Sequence, residues 1–143
     1  MLRTAQKEFK FEAAHRLIGG YPGKCKNLHG HSYIVKVVVA LRTDADLNEF
    51  GFVKDYADFK GIKEWIDENL DHSTIVSIHD EELKNHLSAL KSKMYLLNET
   101  NTSAELICGL IFNLAKDYVE DDRVYVYKVT VNETCTSEAT ISF

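Results

Sequence analysis

His29 and His31 stand two residues apart, and His15 ends an alternating run made of Phe9, Phe11, Ala13 and His15. Residues two apart on an extended strand project from one face, so both imidazoles of the His29 and His31 pair can reach a single metal ion. The period-two alternation before His15 reads as a second strand. A chain turning back through Gly19, Gly20, Pro22 and Gly23 would set His15 opposite the pair as the third ligand. Neutral imidazole suits zinc, copper, nickel or iron, whereas magnesium and calcium take oxygen ligands, and no Asp or Glu lies between Ala13 and Thr43. Zinc is the first expectation. Three histidines with an open position form a catalytic pattern, because water or a substrate oxygen in that position becomes more acidic.

Cys25 lies in the same turn, between Lys24 and Lys26. Beyond a free thiol it has two readings, which spacing leaves open: the fourth ligand of a closed structural site, or a nucleophile or base beside an open one. The flanking cations favour a thiolate and lean toward the reactive reading. Arg16, Lys24, Lys26, Lys36 and Arg42 carry all the formal charge of this stretch, which suggests an anionic ligand near the histidines. The plainer account is that strands hold few acids and a short window is easily lopsided.

The elements that would position these residues follow from periodicity. Residues 2–14 and the β-branched run 32–41 read as an antiparallel pair of strands, joined by a long connection of the kind that carries function. Residues 43–52 are a polar loop, and Asp55 or Asp58 can cap a helix whose apolar face is Phe59, Ile62, Trp65, Ile66 and Leu70. It ends near Asp71 and His72, where a histidine is favoured by the helix dipole with no further role. A more charged helix spans 80–93, and 94–97 is a short extended piece. Thr102 and Glu105 make a capping-box pattern before Leu106, Ile107, Leu110, Ile111, Leu114 and Tyr118, so an amphipathic helix starts at about Ser103. Residues 123–132 and 139–143 give two more strands through a turn at 133–138, with Glu133 reading on its own as a surface acid. The resulting order is ββ, helices, ββ: an α+β domain with helices on one face of a four-stranded antiparallel sheet. Cys108 reads as a core thiol, Cys135 lies in a turn without evident role, and His79 and His86 read as solvent-facing.

The 143 residues suit a single domain, 1–143, and the composition of 45% hydrophobic and 27% charged residues is that of a globular protein. A formal net charge of −5 argues against a dedicated nucleic-acid binder. No apolar run is long enough for a membrane span and the first residues hold no signal-peptide core, so a cytoplasmic location is expected. Three scattered cysteines do not form a disulfide framework and fit a reducing compartment.

These segments together resemble a family. FEAAHRL at 11–17, CKNLHGH at 25–31, FVKDYADFK at 52–60, LDH at 70–72, TSAE at 102–105 and VNET at 131–134 are similar, in this order, to the 6-pyruvoyl- and 6-carboxy-tetrahydropterin synthases. The resemblance implies a T-fold whose sheets join between copies into a barrel, hence a homo-oligomer, taken as a hexamer, with pterin sites between subunits. It implies that His15, His29 and His31 hold Zn2+ and that Cys25 is the catalytic base and not a ligand. Asp71 and His72 would be a proton relay, Glu133 the anchor of the amino-pyrimidine edge, and the segment around Ser103 and Ala104 a source of further pterin contacts. Three residues separate Cys25 from His29, a gap that looks like the bacterial 6-carboxy-tetrahydropterin synthases of the 7-deazaguanine (queuosine) pathway. The mammalian-type pyruvoyl enzymes have a longer one. On this resemblance the substrate is 7,8-dihydroneopterin triphosphate and the reaction is that of a carbon-carbon lyase; on charge pattern alone, Arg16, Lys24 and Lys26 are candidates for triphosphate contacts. Thr102 departs from the family, which commonly has Pro there; Thr can still begin a helix. The charged stretch 77–93 has no counterpart that assigns it a role.

Overall fold

The computed structural model describes residues 1–143. Its elements are β1 (Thr4–His15), β2 (His29–Leu41), α1 (Lys60–Asn69), β3 (Ser73–Ser77), α2 (Glu81–Ala89), β4 (Met94–Leu97), α3 (Ala104–Val119), β5 (Val124–Thr134) and β6 (Ser137–Ser142). Short 3-10 turns occupy Lys24–Lys26 and Tyr56–Phe59. The strands form one sheet in the order β4-β3-β1-β2-β5-β6. No helix is long and apolar enough to cross a membrane.

Alternation decides which face of the sheet is covered. Phe9, Phe11, Ala13 and His15 of β1, Tyr33, Val35, Val37 and Val39 of β2, and Val124, Val126, Val129 and Val131 of β5 are all buried on one face. Against them pack Ile107, Cys108, Ile111, Ala115 and Val119 of α3, and Ile62, Ile66 and Leu70 in and just after α1. Each such large side chain contributes about 1.5–3 kcal/mol by leaving water, which is what orients the sheet and fixes its register. The β1–β2 ladder runs unbroken from Thr4 opposite Ala40 to His15 opposite His29.

The four antiparallel strands expected from periodicity are β1, β2, β5 and β6, but the sheet has six strands. β3 pairs with β1 in parallel through Ala13 and Ala14, and β4 pairs in parallel with β3. All five residues of β3 are buried, so it shows no alternation, and a short continuous run beside a helix end carries no strand signature. β4 is the expected extended piece at 94–97. α2 fills part of the charged stretch and stops earlier than expected, at Ala89, with Lys91 at φ +56° closing the turn. Its Leu83 and Leu87 pack on Val76 and Met94, so the 77–93 stretch serves to roof the parallel extension of the sheet. Thr102 does not cap α3: Ser103 is the N-cap, its hydroxyl accepting from the Leu106 amide at 3.3 Å, and Glu105 is exposed. The turn between the last two strands is also tighter than expected, because Thr134 already pairs with Ser137.

Candidate metal centre

The ladder register brings the three histidines together. His15 lies opposite His29 and His31 lies opposite Ala13, so all three imidazoles rise from the covered face at the end of β1 and the start of β2. Ring centroids are 4.7 Å apart for His15 and His29, 4.8 Å for His29 and His31, and 5.2 Å for His15 and His31. Their ligand atoms all lie within 4.8 Å of one another.

Backbone carbonyls set the tautomers. His15 Nδ1 donates to the Thr102 carbonyl at 2.7 Å, and His29 Nδ1 donates to the Asn27 carbonyl at 2.6 Å. A carbonyl can only accept, so the proton of each neutral ring is on Nδ1 and Nε2 is a lone pair. The Nε2 atoms of His15, His29 and His31 are buried without hydrogen-bond partners. Glu133, at the end of β5, places Oε1 3.1 Å from His15 Nε2 and 3.5 Å from His31 Nε2. The His15 lone pair facing a carboxylate oxygen at 3.1 Å is repulsive unless a positive species lies between them. Burial first, and the neighbouring rings further, push the imidazolium forms of His15 and His31 down, against the opposing pull of Glu133 and, for His15, of its bond to Thr102. A proton is thus the poorer candidate and a cation the better one. Three imidazoles facing one point could hold a metal ion of the zinc, copper, nickel or iron class.

Cys25 is not in the ligand group. It sits half-buried in the Lys24–Lys26 turn as a free thiol, with its carbonyl accepting from the Leu17 amide at 2.9 Å. That favours the open-site reading over a closed four-ligand one.

Asp71 and His72 form a pair, His72 Nδ1 lying 2.8 Å from Asp71 Oδ2. Asp71 Oδ1 also accepts from the Glu12 amide at 2.9 Å, and chiefly through that bond its carboxyl is held below the usual range. His72 has φ +58°, and its side chain is 78% exposed. It lines a shallow depression of about 350 Å³ with Glu12, Ser32 and His31, yet the pair makes no hydrogen bond or ion pair to the three histidines. Ser103 caps α3, and Ala104 is buried in that helix's first turn; both follow Thr102, the residue that touches His15.

Arg16 is removed from the set expected to meet an anion. Its Nε and Nη2 grip the buried Asp80 at 2.7 and 2.6 Å, and Asp80 also accepts from the Leu83 amide as the N-cap of α2. Lys24 and Lys26 remain exposed beside Cys25. Thr102, Asp80 and the fully buried Tyr33, whose ring lies 5.5 Å from that of His31, were not singled out from sequence for the roles they have. An Asp before Glu-Glu-Leu is a readable cap signal, but its partner 64 positions away is not.

Comparison with known proteins agrees with this architecture. Residues 4–142 match the family model described as 6-pyruvoyl tetrahydropterin synthase. The chain is 31% identical over 132 residues to the 6-carboxy-5,6,7,8-tetrahydropterin synthase of Rickettsia bellii, covering 90% of this chain and 91% of that one. It is 35% identical over 139 residues to the Haemophilus influenzae protein of the same name, covering 92% of each. Among solved structures, an uncharacterized protein of Wolinella succinogenes superposes with a TM-score of 0.84 at 22% identity, over 99% of this chain and 98% of that one. The α+β sheet and helices described above are the T-fold of these proteins, and the chain belongs to the 6-pyruvoyl tetrahydropterin synthase family.

Proposed function

We propose that this protein is a zinc-dependent 6-carboxy-5,6,7,8-tetrahydropterin synthase. It would convert 7,8-dihydroneopterin triphosphate and one water to 6-carboxytetrahydropterin with release of acetaldehyde and triphosphate. The observation that carries the reading is the convergence of three unpartnered Nε2 atoms, with a half-buried free thiol, Cys25, four residues before His29 and outside that group. Similarity to proteins of that name and the short Cys25-to-His29 gap support the carboxy product. The description of the matching family model keeps a second reading in view, a 6-pyruvoyl-tetrahydropterin synthase that eliminates triphosphate and keeps the side chain.

Zinc would be held by His15, His29 and His31, and when bound it supplies an electrophile that makes the substrate's side-chain hydroxyls more acidic. The chain's own groups do the rest. Glu133 faces the same pocket, so a pterin whose amino-pyrimidine edge donates to its carboxylate lies beside the histidines. Cys25, as thiolate, takes a proton from the side chain of the substrate. His72, oriented by Asp71, returns one. Lys24 and Lys26 offer charge to the triphosphate.

Because His72 is exposed and makes no hydrogen bond or ion pair to the histidines of its own chain, we read the relay of one copy as serving the site of another. Unpaired strand edges on β1 and β6 support such an assembly. β1 meets β3 only at Ala13 and Ala14, leaving the edge from Thr4 onward free, and β6 is a terminal strand. Joining them between copies gives the homo-oligomeric barrel.

The deciding experiment is incubation of zinc-loaded protein with 7,8-dihydroneopterin triphosphate and identification of the products by mass spectrometry. 6-Carboxytetrahydropterin with acetaldehyde is expected. A pyruvoyl product would select the second reading, and no turnover by protein carrying zinc would overturn both.

A further inference from the structure

We propose that Asn101 is a positioning residue for the histidine site: its side-chain amide locks the segment leaving β1 onto the start of α3, and thereby fixes the ring of His15. The inference rests on reading the three histidines as a metal site.

The segment Arg16, Leu17, Ile18 follows β1 and has no strand beside it. Asn101 supplies what a strand would. Its Oδ1 accepts from the Ile18 amide at 3.0 Å, and its Nδ2 donates to the Ile18 carbonyl at 3.2 Å. The same Oδ1 accepts from the Thr102 amide at 3.1 Å. A primary amide is the group that can both accept from and donate to one backbone residue in this way. Thr102 then works in two directions: its carbonyl takes the His15 Nδ1 proton at 2.7 Å, and its hydroxyl donates to the Arg16 carbonyl at 3.1 Å. Between them, Leu17 donates to the Cys25 carbonyl at 2.9 Å. Three consecutive residues are thus tied, two to the Asn101 and Thr102 junction and one to the turn carrying the thiol.

The consequence for His15 is specific. A neutral imidazole can place its proton on either nitrogen, and only the Nδ1 tautomer leaves Nε2 free for an ion. The Thr102 carbonyl selects that tautomer, and Asn101 holds Thr102 by its amide and Ile18 by both of its backbone groups. Partners that orient a metal-ligating histidine from behind are worth roughly 10–100-fold in metal affinity.

The test uses the full chain as native protein, Asn101→Ala and Asn101→Asp. Zinc affinity is measured by competition with a chromophoric chelator. The histidine tautomers are read from imidazole nitrogen chemical shifts in metal-free protein, above the pH at which imidazole protonates. Asn101→Ala is expected to bind zinc about 10–100-fold more weakly and to show His15 as a mixture of tautomers, while its circular dichroism stays native. Asn101→Asp keeps the acceptor for the Ile18 and Thr102 amides, and should recover part of both; it also carries the test if Asn101→Ala does not fold. Native affinity together with a native His15 tautomer in folded Asn101→Ala would overturn the proposal, as would the same pair of native readings in Asn101→Asp should Asn101→Ala not fold. If the native protein binds no zinc, the metal reading fails, and the tautomer measurement still decides the role of Asn101.

Discussion

His15 and His29 face each other across the β1–β2 ladder with ring centroids 4.7 Å apart, and each gives its Nδ1 proton to a backbone carbonyl. Both Nε2 lone pairs are therefore left free, close to one another in the folded chain. The site is preorganised by the register of a sheet and the start of a helix.

Metal removal should follow from that arrangement. An ion that binds only the folded chain stabilises it by about 2.7 kcal/mol when present at a hundredfold excess over its Kd. A chelator is thus expected to lower the melting temperature of the native protein and to leave that of His15→Ala unchanged. Differential scanning calorimetry with and without chelator makes the comparison; a native melting temperature indifferent to the chelator would remove the metal reading.

Asp80 predicts an acid limb of the stability curve. The hydrogen bonds from Arg16 hold its carboxyl below the ordinary value of 3.8, with burial opposing and the Leu83 amide assisting. A carboxyl depressed in the folded state contributes stability that is fully present above the unfolded value and is lost as pH falls through the folded one. Asp80→Asn keeps an acceptor for the Leu83 amide but loses the charge, and should cost about 1.5–3 kcal/mol near neutrality. Its denaturant midpoint should also respond less to acidification below pH 3.8 than that of the native chain. Parallel acid limbs in the two proteins would show that the Arg16 to Asp80 pair is not the group that titrates.

What could be read from sequence was whatever a short window contains. The β-branched run of β2, the alternation ending at His15 and the helical spacing of α3 each announce themselves locally, and the histidine cluster followed because its three members flank one turn. β3 was hidden because a strand buried on both faces has no alternation to show. Thr102 looked like a cap because its spacing to Glu105 fits one, whereas tertiary contact with His15 and Arg16 claims it and passes the cap to Ser103. Arg16 looked like an anion contact for the same reason: its partner, Asp80, is distant in the chain. A relay role for Asp71 and His72 comes only by resemblance, since neither belongs to the histidine group in the folded chain.

Tyr33 offers a test of a different kind. It is fully buried, stacked on Phe11 at 4.7 Å, and its hydroxyl has no hydrogen-bond partner. Burial, and secondarily the charge of Glu133, push its ionisation well above the ordinary tyrosine value, so it stays a neutral phenol. An unsatisfied buried hydroxyl costs about 1–3 kcal/mol. Tyr33→Phe should therefore be neutral or stabilising in chemical denaturation of the chain without substrate. A clear loss of stability would mean that the hydroxyl has a partner in solution.

Cys25 and His72 should be separable by mixing. Cys25 is outside the ligand group, so Cys25→Ala is expected to keep native zinc affinity while losing turnover; loss of zinc with activity would restore the closed four-ligand site. His72→Ala removes the exposed partner of Asp71 and should also keep zinc while losing turnover. If the relay of one copy serves the site of another, an assembly reconstituted from both variants contains some sites with an intact Cys25 and an intact His72. Mixed, refolded protein should then recover part of the native rate, although neither variant has it alone. Light scattering supplies the companion measurement, since sharing requires a particle larger than the 16.3 kDa chain. A multimer that recovers no activity on mixing would place the relay and the thiol of each working site in the same copy, across the depression that His31 and His72 both line.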